Sequence, residues 1–383
     1  MYPNPVARTP LEQIVLDTIR RCGPITFQHY MTLCLYHPEH GYYMRGGERT
    51  GIHGDYFTSS DLHPVFARLV ARQAAEMWEA LGRPSPFAWV EMGAGRGLFA
   101  QDFLKWAAIT EFGAALNYVA IEPSRQARLR LMNRVFSRDR KFPFRVLADL
   151  EELLPITGCF FSNELLDSFP VSVVTRARGR LKEAYVTSEG ETLREELGPL
   201  SGTAVAAYVA RHAHGLEEGH RTEVSLMAAD WIGSVAERLV RGFALTIDYG
   251  DLAEQLYTAD RPRGTLMAYR GHAASEDFFS APGEQDLTAH VNFSALINAG
   301  EDAGLNLTGF TTQERFLSAL GEPSQFADLY GPGQSEVERL DARLKLKRLI
   351  FPEGMGTVFK VLVLHKGITM PKLIGLPNRH PRS

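Results

Sequence analysis

Cysteine is scarce in this sequence, and the three residues present, Cys22, Cys34 and Cys159, form no C-x-x-C pair. A sparse, odd set of thiols is typical of a reducing compartment, where free cysteines pack as small hydrophobic residues. Cys159 lies in the apolar run Cys159-Phe160-Phe161 and is therefore expected in the core. Residues Met1 to Glu12 contain neither the apolar segment of a signal peptide nor an amphipathic presequence, so a cytoplasmic protein is expected.

Long apolar runs, an excess of basic residues and metal-ligand motifs are also missing from the 383 residues. No stretch approaches the roughly 18 to 20 apolar residues that a membrane helix requires, so no membrane span is expected. Lys and Arg together number 41 against 45 for Asp and Glu, which argues against a nucleic-acid partner. The histidine pairs His37/His40 and His212/His214 have no third ligand nearby, so no metal site is expected. With 45% hydrophobic residues, the chain is expected to be a soluble enzyme or binding protein.

Short apolar segments that alternate with helices begin at about residue 86. Such alternation predicts an α/β fold, in which helices cover both faces of a parallel sheet. The alternating segment 358–364 is expected to add an antiparallel edge strand. The predicted strands are 87–90, 118–121, 144–147, 159–162 and 243–247, with helices at 98–108 and 124–135.

The other segments are expected to be mostly helical or irregular. Two helical pieces are predicted within 11–35, broken at Gly23-Pro24, and a further helix within about 65–78. Residues 171–187 predict a hairpin that turns at Gly179, whereas residues 251–350 show no strand periodicity.

A glycine-rich segment, Val90-Glu91-Met92-Gly93-Ala94-Gly95-Arg96-Gly97, lies directly between a predicted strand and a predicted helix. Glycines at such a point let the backbone approach a ligand and aim helix N-terminal amides at it. A dinucleotide fingerprint needs a small residue where Leu98 stands, which weakens the alternative of an NAD-dependent oxidoreductase. Glu91 would repel a pyrophosphate but attract the ammonium and sulfonium groups of S-adenosylmethionine. The segment therefore predicts a methyltransferase that uses this cofactor.

Acidic residues also follow the next two predicted strands, at the edge where open α/β sheets bind ligands. Glu122 is expected to accept hydrogen bonds from both ribose hydroxyls. Asp149 could accept one from the adenine amino group, while Leu150 packs on the ring. Each acid alone is better explained as a solvated loop residue, and it is the combination of the three that favours a cofactor site.

The fourth predicted strand ends in Ser162-Asn163-Glu164-Leu165-Leu166-Asp167, where a methyltransferase brings the acceptor to the methyl group. Asn163 and Glu164 could orient an acceptor nitrogen or take its proton, or they could cap a helix. Glu164 and Asp167, three residues apart, could point into one cleft, with a turn-capping role for Asp167 as the alternative. Asp248, after the fifth strand, is a reserve candidate that could instead stabilise a tight turn.

A set of ordered segments spanning about residues 10–365 resembles the MidA-type family of S-adenosylmethionine-dependent methyltransferases. That family includes the mitochondrial complex I assembly factor that acts on protein arginine. The segments that carry the resemblance are Gly54-Asp55-Tyr56-Phe57-Thr58-Ser59, the glycine-rich segment, Ser162 to Val171, Ile247-Asp248-Tyr249-Gly250 and Asp286-Leu287-Thr288-Ala289-His290-Val291.

The resemblance implies a class I methyltransferase with a Rossmann-like seven-stranded sheet, an N-terminal helical extension and an inserted lobe. It also implies that Gly54 to Ser59 fold over the cofactor. The implied cofactor-binding residues are Asp55, Thr58, Ser59, Glu91, Gly93, Ala94, Gly95, Gly97, Glu122, Asp149 and Leu150.

The domain organisation expected on this basis follows the order of the chain. The expected ranges are an N-terminal helical arm with the covering loop over 1–84, a core over 85–250 with a hairpin and helical insertion at 171–240, an inserted substrate lobe over 251–350, a core strand over 351–370 and a mobile tail over 371–383.

The function expected by analogy with the family is methyl transfer to a protein arginine, for example on a respiratory complex subunit. A carboxylate pair, Glu164 and Asp167, would localise the guanidinium. The family usually has Thr-Ser-Pro-Glu where this chain has Thr58-Ser59-Ser60-Asp61, and often an acid in place of Asn292, so the acceptor stays open. A non-catalytic assembly factor that binds the cofactor and acts through protein contacts is the alternative, and a homodimer is a further open expectation.

Overall fold

The computed structural model describes residues 8–47, 51, 54–55, 57–136, 142–331 and 333–376. The helices are α1 (Pro10–Cys22), α2 (Phe27–Tyr36), α3 (Ser59–Leu62), α4 (Val65–Ala80), α5 (Leu98–Ala107), α6 (Glu111–Ala115), α7 (Arg125–Phe136), α8 (Thr203–His212), α9 (Leu226–Arg238), α10 (Ala253–Leu256), α11 (Phe293–Asp302), α12 (Gln313–Gly321) and α13 (Glu336–Ile350). The strands are β1 (Ile25–Thr26), β2 (Phe87–Met92), β3 (Leu116–Ile121), β4 (Phe144–Leu147), β5 (Ile156–Asn163), β6 (Ser172–Ala177), β7 (Arg180–Glu189), β8 (Thr192–Gly198), β9 (Arg221–Val224), β10 (Leu239–Asp251), β11 (Met267–Arg270), β12 (Ala273–Ser275), β13 (Asp286–Thr288), β14 (Val291–Asn292), β15 (Asn306–Thr312) and β16 (Phe359–Lys366).

The chain divides into two compact units, each assembled from three separate segments. The first unit comprises Met1–Tyr56, Leu166–Asp230 and Gly250–Ala295, and the second comprises Phe57–Leu165, Trp231–Tyr249 and Leu296–Ser383. These units cut across the consecutive ranges expected from the sequence, because the chain leaves the second unit after β5 and again within β10.

The second unit is built on the expected seven strands, in the order β15-β16-β10-β5-β2-β3-β4. An eighth strand, the two-residue β14, pairs in parallel with the last residues of β10, Gly250 and Asp251. The strands from β10 to β4 are parallel, and β16 runs antiparallel to both β10 and β15. The prediction of an antiparallel strand near the chain end is therefore confirmed, but its position at the edge is wrong. The edge is β15, which the sequence pattern missed because a register shift between Leu307 and Gly309 breaks the alternation of its side chains.

Aromatic side chains fill the core between this sheet and α5. The ring centroids of Trp89 and Phe103 lie 4.7 Å apart, and those of Phe99 and Phe161 lie 4.5 Å apart. All six residues of β2 are buried, as a strand covered on both faces requires. The core therefore holds the carboxyl end of β2, where the glycine-rich segment begins, in a rigid position.

Residues 371–376 pack onto the core of the second unit. They were expected to belong to a mobile tail, and this expectation is wrong for the residues that the structure describes. Leu373 and Leu376 are buried and belong to the same core cluster as α4. The backbone N–H of Gly375 donates to the side-chain oxygen of Gln73 at 3.1 Å. Residues 377–383 of the expected tail lie outside the described part of the chain.

The first unit contains a five-stranded antiparallel sheet, in the order β1-β7-β6-β9 with β8 paired to β7. The predicted hairpin is confirmed as β6 and β7, with Arg178 and Gly179 at φ +54° and +73°. Positive φ at two successive turn residues is what a tight two-residue hairpin needs. Helices α1 and α2 contribute Leu16, Phe27 and other buried side chains to the core of this unit.

The expectation that residues 251–350 lack strands is wrong. This stretch contains β11 to β15, of which β11, β12 and β13 form a small antiparallel sheet in the first unit. Strands of two to four residues, such as β11 to β14, are too short to show a period of two in the sequence. Within the described residues, no helix is long and apolar enough to cross a membrane.

Candidate active site

The glycine-rich segment forms a left-handed loop between β2 and α5. Gly93, Gly95 and Gly97 have φ values of +70°, +51° and +74°. The N–H of Gly93 donates to the carbonyl of Ile121 at 2.8 Å, which ties the loop to the end of β3. A Cβ on Gly97 would lie 2.4 Å from Cδ1 of Leu131, so both the φ angle and the neighbouring side chain require glycine there.

Glu91 is a buried carboxyl group at the end of β2, with 5% of its surface exposed. The hydroxyl of Tyr118 donates a hydrogen bond to Oε2 of Glu91 at 2.6 Å. Burial raises the pKa of Glu91 to about 8; the Tyr118 hydrogen bond opposes this rise and the nearby Glu122 adds to it. A cation beside this carboxyl group would favour its ionised form, so the environment of Glu91 fits the cationic end of S-adenosylmethionine.

Glu122 is the buried carboxylate at the end of β3, and it binds the backbone of two loops. Its Oε2 accepts from the N–H of Gly95 at 2.9 Å, and its Oε1 accepts from the N–H of Ser124 at 2.8 Å. Burial raises the pKa of Glu122, and both N–H donors counteract that rise. Each oxygen keeps a second lone pair for a further donor, so the predicted contact with ribose hydroxyls is compatible with this arrangement.

Asp149 is exposed and caps a turn of 3₁₀ helix over Leu150–Glu152. Its Oδ1 accepts from the N–H of Glu151 at 2.8 Å, which is the local role that the sequence left open. Leu150 is 8% exposed. The adenine contacts of Asp149 and Leu150 stay predictions.

Thr58 and Ser59 lie in a short segment that is tied to the other loops of the second unit. Thr58 caps α3 through a reciprocal pair of hydrogen bonds with Asp61. Asp61 in turn forms an ion pair with Arg96 of the glycine-rich loop. The N–H of Ser59 donates to Oε1 of Glu164 at 2.9 Å. Residues 58–61 therefore link the glycine-rich loop to the end of β5.

Asp55 is the one predicted cofactor-binding residue that falls in the first unit. Its Oδ2 accepts from the hydroxyl of Tyr42 at 2.6 Å, and its Oδ1 accepts from the N–H of Gly271 at 2.7 Å. These contacts give Asp55 a role in fixing the loops of its own unit, and its cofactor contact stays a prediction. Tyr56, in the same motif, lies outside the described residues.

The end of β5 places Asn163 and Glu164 side by side. Glu164 has φ +51°, an uncommon left-handed conformation for a residue with a side chain. Its N–H donates to the carbonyl of Ile247 at 3.0 Å, and its Oε1 accepts from Nδ2 of Asn163 at 2.9 Å. The buried Oδ1 of Asn163 has no hydrogen-bond partner among the described residues. Backbone strain and an unpaired buried acceptor are both typical of functional sites.

Asp248 is completely buried and binds backbone on both sides. Its Oδ2 accepts from the N–H of Leu165 at 3.1 Å, and its Oδ1 accepts from the N–H of Tyr249 at 2.9 Å. These hydrogen bonds agree with the alternative role considered for Asp248, the stabilisation of a tight turn. Leu165 is also the side chain that a Cβ on Gly93 would meet, at 2.9 Å from Cδ1. Asp248 thereby fixes the loop that packs on the glycine-rich segment.

Asp167 lies in a 3₁₀ turn, Leu166–Ser168, and belongs to the first unit. Its side chain is buried, and its backbone carbonyl accepts from the N–H of Ala289 at 2.9 Å. Because Glu164 belongs to the second unit, the predicted pairing of these two carboxylates stays a prediction.

Three residues around the loops of the second unit were missed from the sequence. Tyr118, the partner of Glu91, lies in an otherwise apolar strand, where its buried hydroxyl needs an acceptor. This was a signal that the sequence offered. Arg96 carried no signal because its partner Asp61 is distant in sequence. Gln313 is completely buried, lies 3.4 Å from the Ser59 hydroxyl and donates to the carbonyl of Leu349; nothing local in the sequence marks it.

Comparison with known proteins agrees with this geometry. A family model of S-adenosyl-L-methionine-dependent methyltransferases matches residues 69–311. A Burkholderia thailandensis protein of the COG1565 superfamily, solved bound to S-adenosyl-homocysteine, superimposes with a TM-score of 0.87 at 32% identity, covering 95% of this chain and 94% of that one. A second structure of such a Burkholderia thailandensis protein gives a TM-score of 0.84 at 31% identity, over 96% and 94% of the two chains.

Curated relatives of known name are more distant in sequence. The protein arginine methyltransferase NDUFAF7 homolog of Drosophila melanogaster, a mitochondrial protein, is 28% identical over 93% of this chain and 84% of its own length. The mitochondrial protein arginine methyltransferase NDUFAF7 of Homo sapiens is 26% identical over 94% of this chain and 84% of its own.

Proposed function

This chain belongs to the family of S-adenosyl-L-methionine-dependent methyltransferases and uses that cofactor, and we propose that its methyl acceptor is an arginine side chain of another protein. The names of the curated relatives support an arginine acceptor. At 26% to 28% identity they leave the acceptor protein to experiment.

The observation that carries the proposal is the pair of oxygen acceptors at the end of β5. The N–H of Ser59 and the amide of Asn163 hold Oε1 of Glu164, and the buried Oδ1 of Asn163 has no partner among the described residues. A guanidinium group carries five N–H donors and no acceptor. Two fixed oxygen acceptors therefore match an arginine side chain in chemical type.

The residues of the glycine-rich loop and the neighbouring strand ends would hold the cofactor. Glu91 would face its ammonium and sulfonium groups, Gly93, Ala94, Gly95 and Gly97 would allow close backbone approach, and Glu122 would bind its ribose. Thr58 and Ser59 would close the same site, and Asp149 and Leu150 would bind the adenine. The rise in the pKa of Glu91 and the left-handed glycines are the features of this chain that fit such a ligand.

In methyl transfer, the main task of the protein is to position the two reactants. When bound, S-adenosylmethionine supplies an electrophilic methyl group on a sulfonium sulfur. Glu164 and Asn163 would orient one guanidinium nitrogen towards that group, and the fixed geometry lowers the entropic cost of reaching an in-line arrangement. Forming the new N–C bond breaks the bond between the methyl carbon and the sulfonium sulfur, and that electron pair stays on the departing S-adenosylhomocysteine. The nitrogen would give up one proton, for which the Glu164 carboxylate would be the base at the end of β5. Asp167 stays the second predicted carboxylate.

Replacing Glu164 by glutamine tests this role. Glu164→Gln keeps the size of the side chain and an oxygen for the N–H of Ser59, but it removes the negative charge and the base. We expect methyl transfer to fall by about 100-fold or more, because a general base and charge stabilisation are both lost. The measurement is transfer of labelled methyl groups to protein, together with cofactor affinity by isothermal titration.

The matched control is Glu301→Gln, an exposed glutamate of α11. It should leave transfer unchanged, and both variants should bind S-adenosylmethionine within about twofold of the unmodified protein, since neither change touches Glu91. Full activity of Glu164→Gln would contradict the assigned role.

The acceptor is identified by labelling. A lysate of a strain that lacks the protein is incubated with the purified protein and tritiated S-adenosylmethionine, and the labelled material is analysed by mass spectrometry. We expect the label on arginine in a protein band. The family resemblance makes a respiratory complex subunit that is accessible from the cytoplasm the first candidate acceptor to examine. Label in RNA would overturn the proposal.

A further inference from the structure

Helix α13 of the second unit carries an exposed apolar stripe opposite its buried face. Ala342, Leu346 and Leu349 are buried, as expected for the face that packs on the core. Val337, Leu340 and Leu344 are 77%, 55% and 54% exposed. Their spacing of three and four residues places them on one side of the helix. Contiguous exposed apolar surface can mark an interaction site, and these three side chains supply such a stripe.

A groove continues the stripe at the C-terminal end of the helix. It has a volume of about 640 Å³, and its lining includes Leu344, Phe351, Phe57, Leu62 and Met355. Phe351 is 41% exposed. Lys347 lies with its ammonium 4.9 Å from the ring centre of Phe351, and Arg348 with its guanidinium 5.8 Å from that of Phe57. The groove is therefore lined mainly by apolar side chains, and its charged residues are Lys347, Arg348 and Glu353.

The charges along α13 are divided between its two halves. The first half carries Glu336, Glu338 and Asp341 beside a single Arg339, whereas the second half carries Arg343, Lys345, Lys347 and Arg348. Two such helices that pack in parallel would place like charges together. In an antiparallel pair, the acidic half of each helix would lie beside the basic half of the other, which is the complementary arrangement.

We propose that α13 is the interface of a homodimer, in which the helices of two copies pack antiparallel about a twofold axis near the middle of the helix. Leu340 of one copy lies opposite Leu344 of the other, and Glu336 lies towards Arg348. Val337 of each copy then reaches the groove beside Phe351 of the other. A twofold interface needs a surface that is complementary to itself, and α13 meets this condition in both its apolar residues and its charges.

Sedimentation velocity of the full chain at about 1 to 100 μM tests the proposal. We expect a species of twice the 42.7 kDa chain mass that dissociates on dilution. The double variant Leu340→Glu/Leu344→Glu should raise the dissociation constant by at least about 100-fold, because it buries two charges from each copy, four in all, at the centre of the interface. Ile109→Glu, at a residue that is 85% exposed outside α13, is the matched control and should not change it.

A charge swap separates self-association from an apolar surface that serves another protein. Glu336→Lys should weaken the dimer, and Glu336→Lys combined with Arg348→Glu should restore it, because each reversed charge meets its reversed partner. A chain that stays monomeric at 100 μM, a dimer that survives Leu340→Glu/Leu344→Glu, or a double charge variant weaker than the single one would overturn the proposal. If the unmodified protein showed no methyl transfer, the dimer proposal would be unaffected, since sedimentation measures mass alone.

Discussion

At the scale of the residue, the chemistry of the site depends on groups that the protein places in unusual states. Glu91 is buried beside a tyrosine hydroxyl, Glu164 has a left-handed backbone, and Asn163 has an unpaired oxygen among the described residues. Each state costs free energy in the isolated protein, and we expect a ligand of matching charge or donor pattern to relieve that cost. We therefore expect these three residues to distinguish the cofactor and the acceptor from other ligands.

The raised pKa of Glu91 predicts a pH-dependent affinity for S-adenosylmethionine. Below about pH 8 the carboxyl group is mainly protonated in the protein, whereas the cationic cofactor needs it ionised, so binding must release a proton. We expect affinity to increase with pH between about 5.5 and 7.5, by up to about tenfold per pH unit. Isothermal titration in buffers of different ionisation enthalpy measures both the affinity and the released proton.

Two variants control this experiment. Glu91→Gln cannot ionise and should bind weakly with no dependence on pH. Tyr118→Phe removes the hydrogen bond that lowers the pKa of Glu91, so its pH dependence should extend to higher pH. An affinity that is flat with pH in the unmodified protein would count against a contact between Glu91 and the cationic groups.

The raised pKa of Glu91 also determines how the stability of the folded protein changes with pH. Because the folded protein holds the proton of Glu91 more tightly than the unfolded chain, this group favours folding most at low pH. Its contribution declines as the pH rises from the ordinary glutamate range towards about 8. Bound cofactor should remove this decline.

At the scale of the element, the connection from β2 to α5 decides where the site lies. The strand is completely buried and the helix packs beside it, so the three glycines must complete the turn in few residues. The sequence predicted this element and its cofactor class, because glycine spacing and strand periodicity are local properties. It could not predict that Asp61 and Arg96 would join α3 to the loop, since that ion pair depends on the fold.

Gly97→Ala measures how tightly this turn is packed. The change imposes a left-handed φ on alanine, which costs about 1 to 2 kcal/mol, and it also places a methyl group against Leu131. We expect the free energy of unfolding to fall by at least about 1 kcal/mol more than in the control. Chemical denaturation measures the difference, and cofactor affinity should fall with it.

The control is Gly179→Ala in the β6–β7 hairpin. Gly179 has φ +73°, almost the same as Gly97, but no atom lies within 4 Å of the position of its Cβ. It should therefore show the backbone cost alone. Equal losses at both positions would mean that the contact with Leu131 relaxes freely.

At the scale of the whole molecule, both units are assembled from segments that are distant along the chain. The second unit is interrupted twice, by Leu166–Asp230 and by Gly250–Ala295 of the first unit. Its core extends to Leu373 and Leu376 near the chain end. This arrangement means that the last described residues contribute to the stability of the unit that carries Glu91 and Glu164.

Leu373→Ala tests that contribution. Leu373 is 5% exposed and lies in the core cluster, so its truncation should lower the free energy of unfolding by about 2 to 4 kcal/mol. The neighbouring Ile374 is 56% exposed, and Ile374→Ala should change it by less than about 0.5 kcal/mol. Thermal and urea unfolding measure both; similar small effects would show that residues 371–376 are held only loosely.

Local patterns in the sequence were enough to predict the parallel sheet, the alternation of strands and helices that begins at about residue 86, the glycine-rich loop and the cofactor class. These follow from periodicity, glycine spacing and the sign of a charge, which are properties of a few neighbouring residues. The place of β15 at the edge of the sheet and the packing of residues 371–376 became visible in the folded structure alone. The folded structure also shows that Asp248 binds backbone and that burial raises the pKa of Glu91 against the opposing hydrogen bond from Tyr118. Each of these depends on burial and on contacts between residues far apart in the chain, which no local pattern specifies.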